Sequence, residues 1–262
     1  MTAPFFNPHS FNTLVLQVIP VRVDKNIMPD DDLGVIIPAA VKQSNLEILD
    51  GDILVVAHKI VSKAEGRIVN LADVKPSQKA RKMAKEHNKD PRIMELILKE
   101  SAQILRAKNG VVVSETKHGF VCANAGVDQS NVQGEAALLL PVDPDRSARL
   151  LLESIRENIG KEIAVVVADT FGRPFREGQT NVAIGVAGIS PIKSYIGSRD
   201  MYGRKLRVSE IAVADEIAAA AELVMGKSEG VPAAIVRGYK FEKAAKSSAK
   251  SLQRSKVRDL FR

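Results

Sequence analysis

Apolar positions along the chain follow two rhythms. Residues 14–23 (LVLQVIPVRV), 52–57 (DILVVA), 181–188, 233–236 and the apolar run that opens 163–179 (IAVVVADTFGRPFREGQ) are short, largely β-branched and bounded by turn residues. Each reads as a strand. Residues 111–113 and 119–123, entered through the turn pair Asn109-Gly110, read as a β-hairpin. A helical period marks 33–41 behind the caps Asp30, Asp31 and Asp32, then 77–106 with a break at Asp90-Pro91, then 143–159 and 214–225. In the second helix of 77–106, Ile93, Leu96, Ile97, Ile104 and Leu105 mark the face expected to be buried. Residues 58–67 read as a loop or short helical turn, 124–131 and 192–204 as loops, and 1–11 as a loose or strand-leading terminus. The helix at 143–159 feeding the strand at 163 gives a strand–helix–strand alternation.

Composition narrows the class. With 262 residues, 45% hydrophobic and 26% charged, the chain suits one large globular domain or two smaller ones. No apolar run reaches ~18 residues and the start lacks a leader pattern, so a cytoplasmic protein without a membrane span is expected. Aromatics make up 4% and Trp is absent, which argues against a base-stacking surface. Cys122 is the only cysteine, excluding an intrachain disulfide and a multi-cysteine zinc site. The four histidines show no HExxH spacing. The formal charge of +7 resides almost wholly in residues 240–262, where eight Lys/Arg face only Glu242 and Asp259. There Phe241, Ala245, Ala249 and Leu252 fall at approximate helical spacing, as in an amphipathic terminal helix or a solvated tail. A phosphate-tracking surface takes more than a tail, so nucleic acid is not expected as a partner.

The candidate chemistry begins in 163–179. Asp169, at the expected carboxyl end of its strand, and Thr170 offer hard oxygens suited to Mg²⁺ or Mn²⁺, while Arg173 and Arg176 suit phosphate or carboxylate. Asp128, in the polar stretch 124–131, is a second carboxylate for such an ion, and Asn131 a neutral hydrogen-bonding group for a nucleotide. Lys63 lies shortly after the strand 52–57; with Arg173 and Arg176 it would offset charge on a transferring phosphoryl group. Gly226-Lys227-Ser228 imitates a P-loop, but Ala221 stands where that pattern needs Gly and the helix precedes the loop. No GxGxxG occurs. The residues point to a nucleotide or phosphate with a metal.

Five segments in order, VSKAEGRI (61–68), CANAGVDQSNV (122–132), ADTFGRPFREG (168–178), IGSRDMYGRKL (196–206) and 213–238, resemble the coenzyme F420-0:L-glutamate ligase family over residues 14–239. The resemblance implies an α+β, mixed-sheet fold of two packed subdomains, a homodimer, and a basic tail at 240–262 outside the family pattern. It implies a GTP-dependent ligase that adds L-glutamate to F420-0, and a second, γ-linked, to F420-1, through an acyl phosphate with release of GDP and phosphate. Asp128 and Asp169 match metal ligands and Thr170 a contact to a second ion. Lys63, Asn131, His58 and Lys59 match GTP-contacting positions. So do Arg22, Val23, Asp24 and Lys25, and the loop Met225, Gly226, Lys227, Ser228, Glu229, Gly230, Val231 and Pro232. Lys227 departs from members that carry Glu or Gln there for the second ion. Either its ammonium supplies part of that charge or Glu229 supplies the oxygen. Arg173 and Arg176 could equally hold the carboxylates of glutamate or F420-0. The alternative is a metal- and nucleotide-dependent amino-acid ligase acting on a different phosphorylated carboxylate.

Overall fold

The computed structural model describes residues 15–108 and 110–260; the readings of 1–11, Leu14, Asn109 and Arg262 lie outside them. The chain runs β1 (Gln17–Val21), α1 (Leu33–Gln43), β2 (Ile53–Ala57), α2 (His58–Ala64), β3 (Ile68–Asn70), α3 (Gln78–His87), α4 (Pro91–Glu100), β4 (Ser101–Lys108), β5 (Val111–Thr116) and β6 (Val121–Ala123). It continues with β7 (Ala136–Leu138), α5 (Pro144–Ile159), β8 (Ala164–Arg173), β9 (Arg176–Ile189), β10 (Lys193–Ser194), β11 (Glu210–Ile211), α6 (Val213–Met225), β12 (Ala233–Arg237) and β13 (Lys243–Ala244). This is the mixed α+β architecture expected. A six-stranded sheet in the order β1-β12-β2-β8-β9-β13 is antiparallel except for the β2–β8 pair.

Both faces of that sheet are covered, which is why β2 and β8 read as continuous apolar runs. Leu54, Val56, Val165 and Val167 pack with Ile37 of α1 and Leu151 and Ile155 of α5. The alternate residues Ile53, Val55, Ala164 and Val166 pack with Ile217 and Ala218 of α6 on the other face. A third cluster gathers Met94 and Ile97 of α4, Ala80 and Ala84 of α3, Val112 of β5 and Ala137 of β7. Helix starts follow the expected caps: Asp32, Asp90 and Asp143 each accept a backbone N–H of the first turn.

Four expectations need correction. The second helix of 77–106 ends at Glu100, and Ile104 and Leu105 belong to β4; the stretch from Ser101 pairs with β5 instead of extending the helix. Asp169 is not at the end of its strand. β8 runs on to Arg173 and returns as β9, because β9 supplies its backbone partners where the apolar pattern has stopped. The 192–204 loop belongs to an arm closed by the pair β10–β11. Residues 240–260 form neither one amphipathic α-helix nor a loose tail, and their helical content is two short 3-10 turns, Ala249–Leu252 and Lys256–Arg258. Instead, β13 pairs with β9, and Ser248 Oγ and Ala249 N both donate to the buried Asp145.

Candidate active site

The β2–β8 pairing stops at Ala57↔Ala168, so Asp169 and Thr170 sit just past the end of β2 on the edge it leaves uncovered. A cavity of about 460 Å³ opens there. Four segments wall it: residues 23–27 after β1, the start of α2, the 128–131 loop and the 225–232 loop behind α6.

Directly after β2 the chain turns into α2, which places His58 and Lys59 at the cavity floor and Lys63 one turn on. His58, 2% exposed, lies with Nε2 3.2 Å from Asp169 Oδ1 and Nδ1 3.4 Å from Ser62 Oγ. A neutral imidazole satisfies both by donating through Nε2 and accepting the Ser62 hydroxyl. Asp169 Oδ1 also accepts Thr170 N at 2.6 Å, while Oδ2 has no hydrogen-bond partner among the described residues. Burial, followed by the neighbouring charge of Lys59, pushes the Lys63 ammonium below the usual lysine range.

Asp128 is held by paired backbone bonds to Leu138 and by a turn in which Ser130 N donates to Oδ1 at 2.7 Å. Lys59 Nζ lies 2.7 Å from its Oδ2 and also donates to Ser130 Oγ. Burial pushes the Asp128 carboxyl up, but Lys59 and the Ser130 donors outweigh it and hold the group below the usual carboxylate range. Asn131 takes the left-handed backbone (φ 57°) that Asn tolerates, and its Nδ2 donates to the Lys227 carbonyl at 3.5 Å. That bond ties the 128–131 and 225–232 loops together.

Met225 closes α6 and Gly226 follows at φ 59°, where a β-carbon would collide with the Glu229 carboxylate. Glu229 turns onto its own loop, accepting Ser228 N at 2.9 Å and Ser228 Oγ at 3.1 Å. Lys227, by contrast, reaches across to Thr170 Oγ1 at 2.7 Å. Of the two options open at this position, the ammonium is the one that touches Thr170.

The structure therefore brings Val23, Lys25, His58, Lys59, Lys63, Asp128, Asn131, Asp169, Thr170, Met225, Gly226, Lys227, Ser228, Gly230, Val231 and Pro232 to one cavity. Arg22, Asp24 and Glu229 flank it without lining it. Arg173 and Arg176 stand away from it, at the β8–β9 hairpin tip, where Arg173 donates to the carbonyls of Glu177 and Gly178. Sequence reasoning missed Asn26, Ser130, Gln179, Asn181 and Glu222 on the lining. Ser130 and Gln179 lay in segments already singled out, 124–131 and 163–179; Asn181 and Glu222 read as ordinary strand and helix residues.

The donor set fits a hard divalent cation at the level of two carboxylates. Asp128 and Asp169 arrive from separate segments at one cavity, with hydroxyls beside both. No group of three or more His, Cys, Asp or Glu gathers for a metal among the described residues. Nor is any helix among them long and apolar enough to cross a membrane.

The sequence profile of the F420-0:Gamma-glutamyl ligase family matches residues 22–238. A coenzyme F420:L-glutamate ligase of Methanothermobacter thermautotrophicus is 51% identical over 234 residues, 88% of this chain and 93% of the relative. The protein of that name from Methanopyrus kandleri is 44% identical over 253 residues, 94% and 98% of the two chains. That from Methanocaldococcus jannaschii is 41% identical over 216 residues, 82% and 86%.

Proposed function

The chain belongs to the F420-0:Gamma-glutamyl ligase family, and from that premise we propose that it joins L-glutamate to coenzyme F420-0 in a reaction driven by GTP. A second, γ-linked glutamate goes on F420-1, and GDP and phosphate leave. The observation that carries the reading is one cavity holding Asp128 and Asp169 together with the ammonium groups of Lys59, Lys63 and Lys227. Paired carboxylates for a divalent ion and clustered cations for phosphate oxygens are what transfer from a nucleoside triphosphate requires.

A carboxylate is a poor acyl donor at neutral pH. Its oxygen attacks the γ-phosphorus of GTP, the bond to the β-phosphate oxygen breaks, and an acyl phosphate and GDP form. The amine of glutamate then attacks the acyl carbon; phosphate departs and the amine loses a proton. Asp128, Asp169 and Thr170 would hold Mg²⁺ or Mn²⁺, which supplies charge neutralisation at the phosphate oxygens when bound. Lys63, left without a carboxylate partner among the described residues, and Lys227 line the same cavity and would offset charge on those oxygens. Asn131, the 225–232 loop and residues 23–25 would cradle the nucleotide. His58 keeps Asp169 oriented from behind. A homodimer in the cytoplasm is part of the same reading.

Incubation with F420-0, GTP, Mn²⁺ and L-glutamate, followed by mass spectrometry, tests it. Products heavier by one and then two glutamyl residues are expected. An unchanged F420-0 mass overturns the reading, and glutamylation of another phosphorylated carboxylate in its place selects the alternative substrate.

A further inference from the structure

Thr170, Asn181, Glu222 and Lys227 close a ring of hydrogen bonds on one wall of the cavity. Lys227 Nζ donates to Thr170 Oγ1 at 2.7 Å and lies 2.7 Å from Glu222 Oε1. The Thr170 hydroxyl donates to Asn181 Oδ1 at 2.6 Å, and Asn181 Nδ2 donates to Glu222 Oε2 at 2.8 Å. Chemistry fixes these directions. A carboxylate only accepts, so Asn181 must turn its amide nitrogen to Glu222 and its oxygen to Thr170. Thr170 then spends its single hydrogen on Asn181 and can only accept from Lys227.

The four residues come from β8, β9, α6 and the loop behind α6, so tertiary packing alone assembles the ring. Asn181 is 4% exposed and rigidly seated on β9. Lys227 is more than half exposed, and a lysine so placed ordinarily samples many rotamers. Here two of its three N–H groups are engaged, and among the described residues the third has no acceptor. The ordering that would otherwise oppose binding is already complete before a ligand arrives.

We propose that Glu222 and Asn181 are positioning residues: they hold the Lys227 ammonium, with Thr170 beneath it, ready for an anionic oxygen of the nucleotide's phosphates. This rests on the GTP-dependent ligase reading above. Glu222→Gln keeps the volume but removes the charge and leaves a single acceptor oxygen for the two donors Lys227 Nζ and Asn181 Nδ2. Lys227→Met removes the cation without supplying the oxygen ligand that some family members carry at this position.

Equilibrium binding of GTP to the full chain, with Mn²⁺ present, is measured for wild type, Glu222→Gln, Lys227→Met and the double variant. Steady-state KM values for GTP and glutamate and thermal unfolding accompany it. Each single variant is expected to weaken GTP binding about tenfold, the size of one hydrogen bond to a charged group. The double variant should weaken it no further, because Glu222 acts through Lys227. Lys227→Arg should restore most of the affinity, and the KM for glutamate should stay unchanged. Wild-type affinity in Lys227→Met overturns the contact, and wild-type affinity in Glu222→Gln overturns the positioning role. Additive losses overturn the coupling, and a raised KM for glutamate alone assigns the cation to the other anion. Failure of the wild type to bind GTP overturns the ligase reading itself.

Discussion

His58 Nε2 and Asp169 Oδ1 lie 3.2 Å apart where the parallel strands β2 and β8 part company. The residue that opens α2 directly after β2 and the residue that outruns β2 on the neighbouring strand are thereby locked together at the cavity floor. Asp169 is oriented by a buried ring rather than by solvent, and its remaining oxygen faces the site.

Asp169→Asn deletes one negative charge at nearly constant volume. Ligation by this variant is expected to fall by about 100-fold or more, with a thermal unfolding midpoint close to that of wild type. Product mass and circular dichroism on one sample check both. Near wild-type glutamylation would remove Asp169 from the site.

The Lys59–Asp128 pair gives a pH signature. The Asp128 carboxyl is depressed in the folded protein despite burial, by Lys59 and Ser130. A depressed carboxyl contributes stability that is fully present above the ordinary unfolded value of about 4 and is lost as pH falls through the lowered one. Lys59→Met removes the largest lowering contribution and leaves burial opposed only by the Ser130 donors, so the carboxyl is held less far down. Urea midpoints of variant and wild type are therefore expected to differ most near neutrality and to converge below about pH 3. A gap independent of pH would mean the pair is not electrostatic in origin.

Burial, with the Asp169 charge beside it, pushes the Cys122 thiol up to about 12. A thiol in that state is neutral and unreactive across physiological pH. Labelling of the native protein by a thiol reagent at about pH 9 is expected to be slow and to track unfolding. Rapid stoichiometric labelling of folded protein would contradict the burial.

Asp145, at the start of α5, accepts Val186 N, Ala249 N and Ser248 Oγ, so the basic C-terminal segment is fastened to β9 and α5 at one carboxylate. Ser248→Ala should lower stability by about 1 kcal/mol, read from denaturant curves. Truncation after residue 244 should cost more, because it strips two donors from the carboxylate and uncovers the face packed by Leu252. A segment so engaged is not a free polycation. Generic DNA is expected to show no tail-dependent shift at physiological salt.

Most elements were legible in the sequence because they depend on local rules: the two-faced burial of β2 and β8 as continuous apolar runs, and the caps Asp32, Asp90 and Asp143 at helix starts. The five family-like segments also marked Asp128, Asp169, Lys63 and Lys227 as members of one site before any geometry. What failed locally was decided by pairing at a distance. Strand β8 continues past Asp169, and Ile104 lies in a strand, because partner strands supply hydrogen bonds that no side-chain period announces. Residues 240–260 fold back because a carboxylate more than a hundred positions away binds their backbone. Asn181 and Glu222 enter the site only through a ring of bonds joining four separate elements, and Arg173 leaves it because the hairpin tip consumes its donors. Sequence alone determined the family and the polar side chains that its segments mark. Only the tertiary structure decided which of those groups share a cavity, since that depends on contacts between residues far apart in the chain.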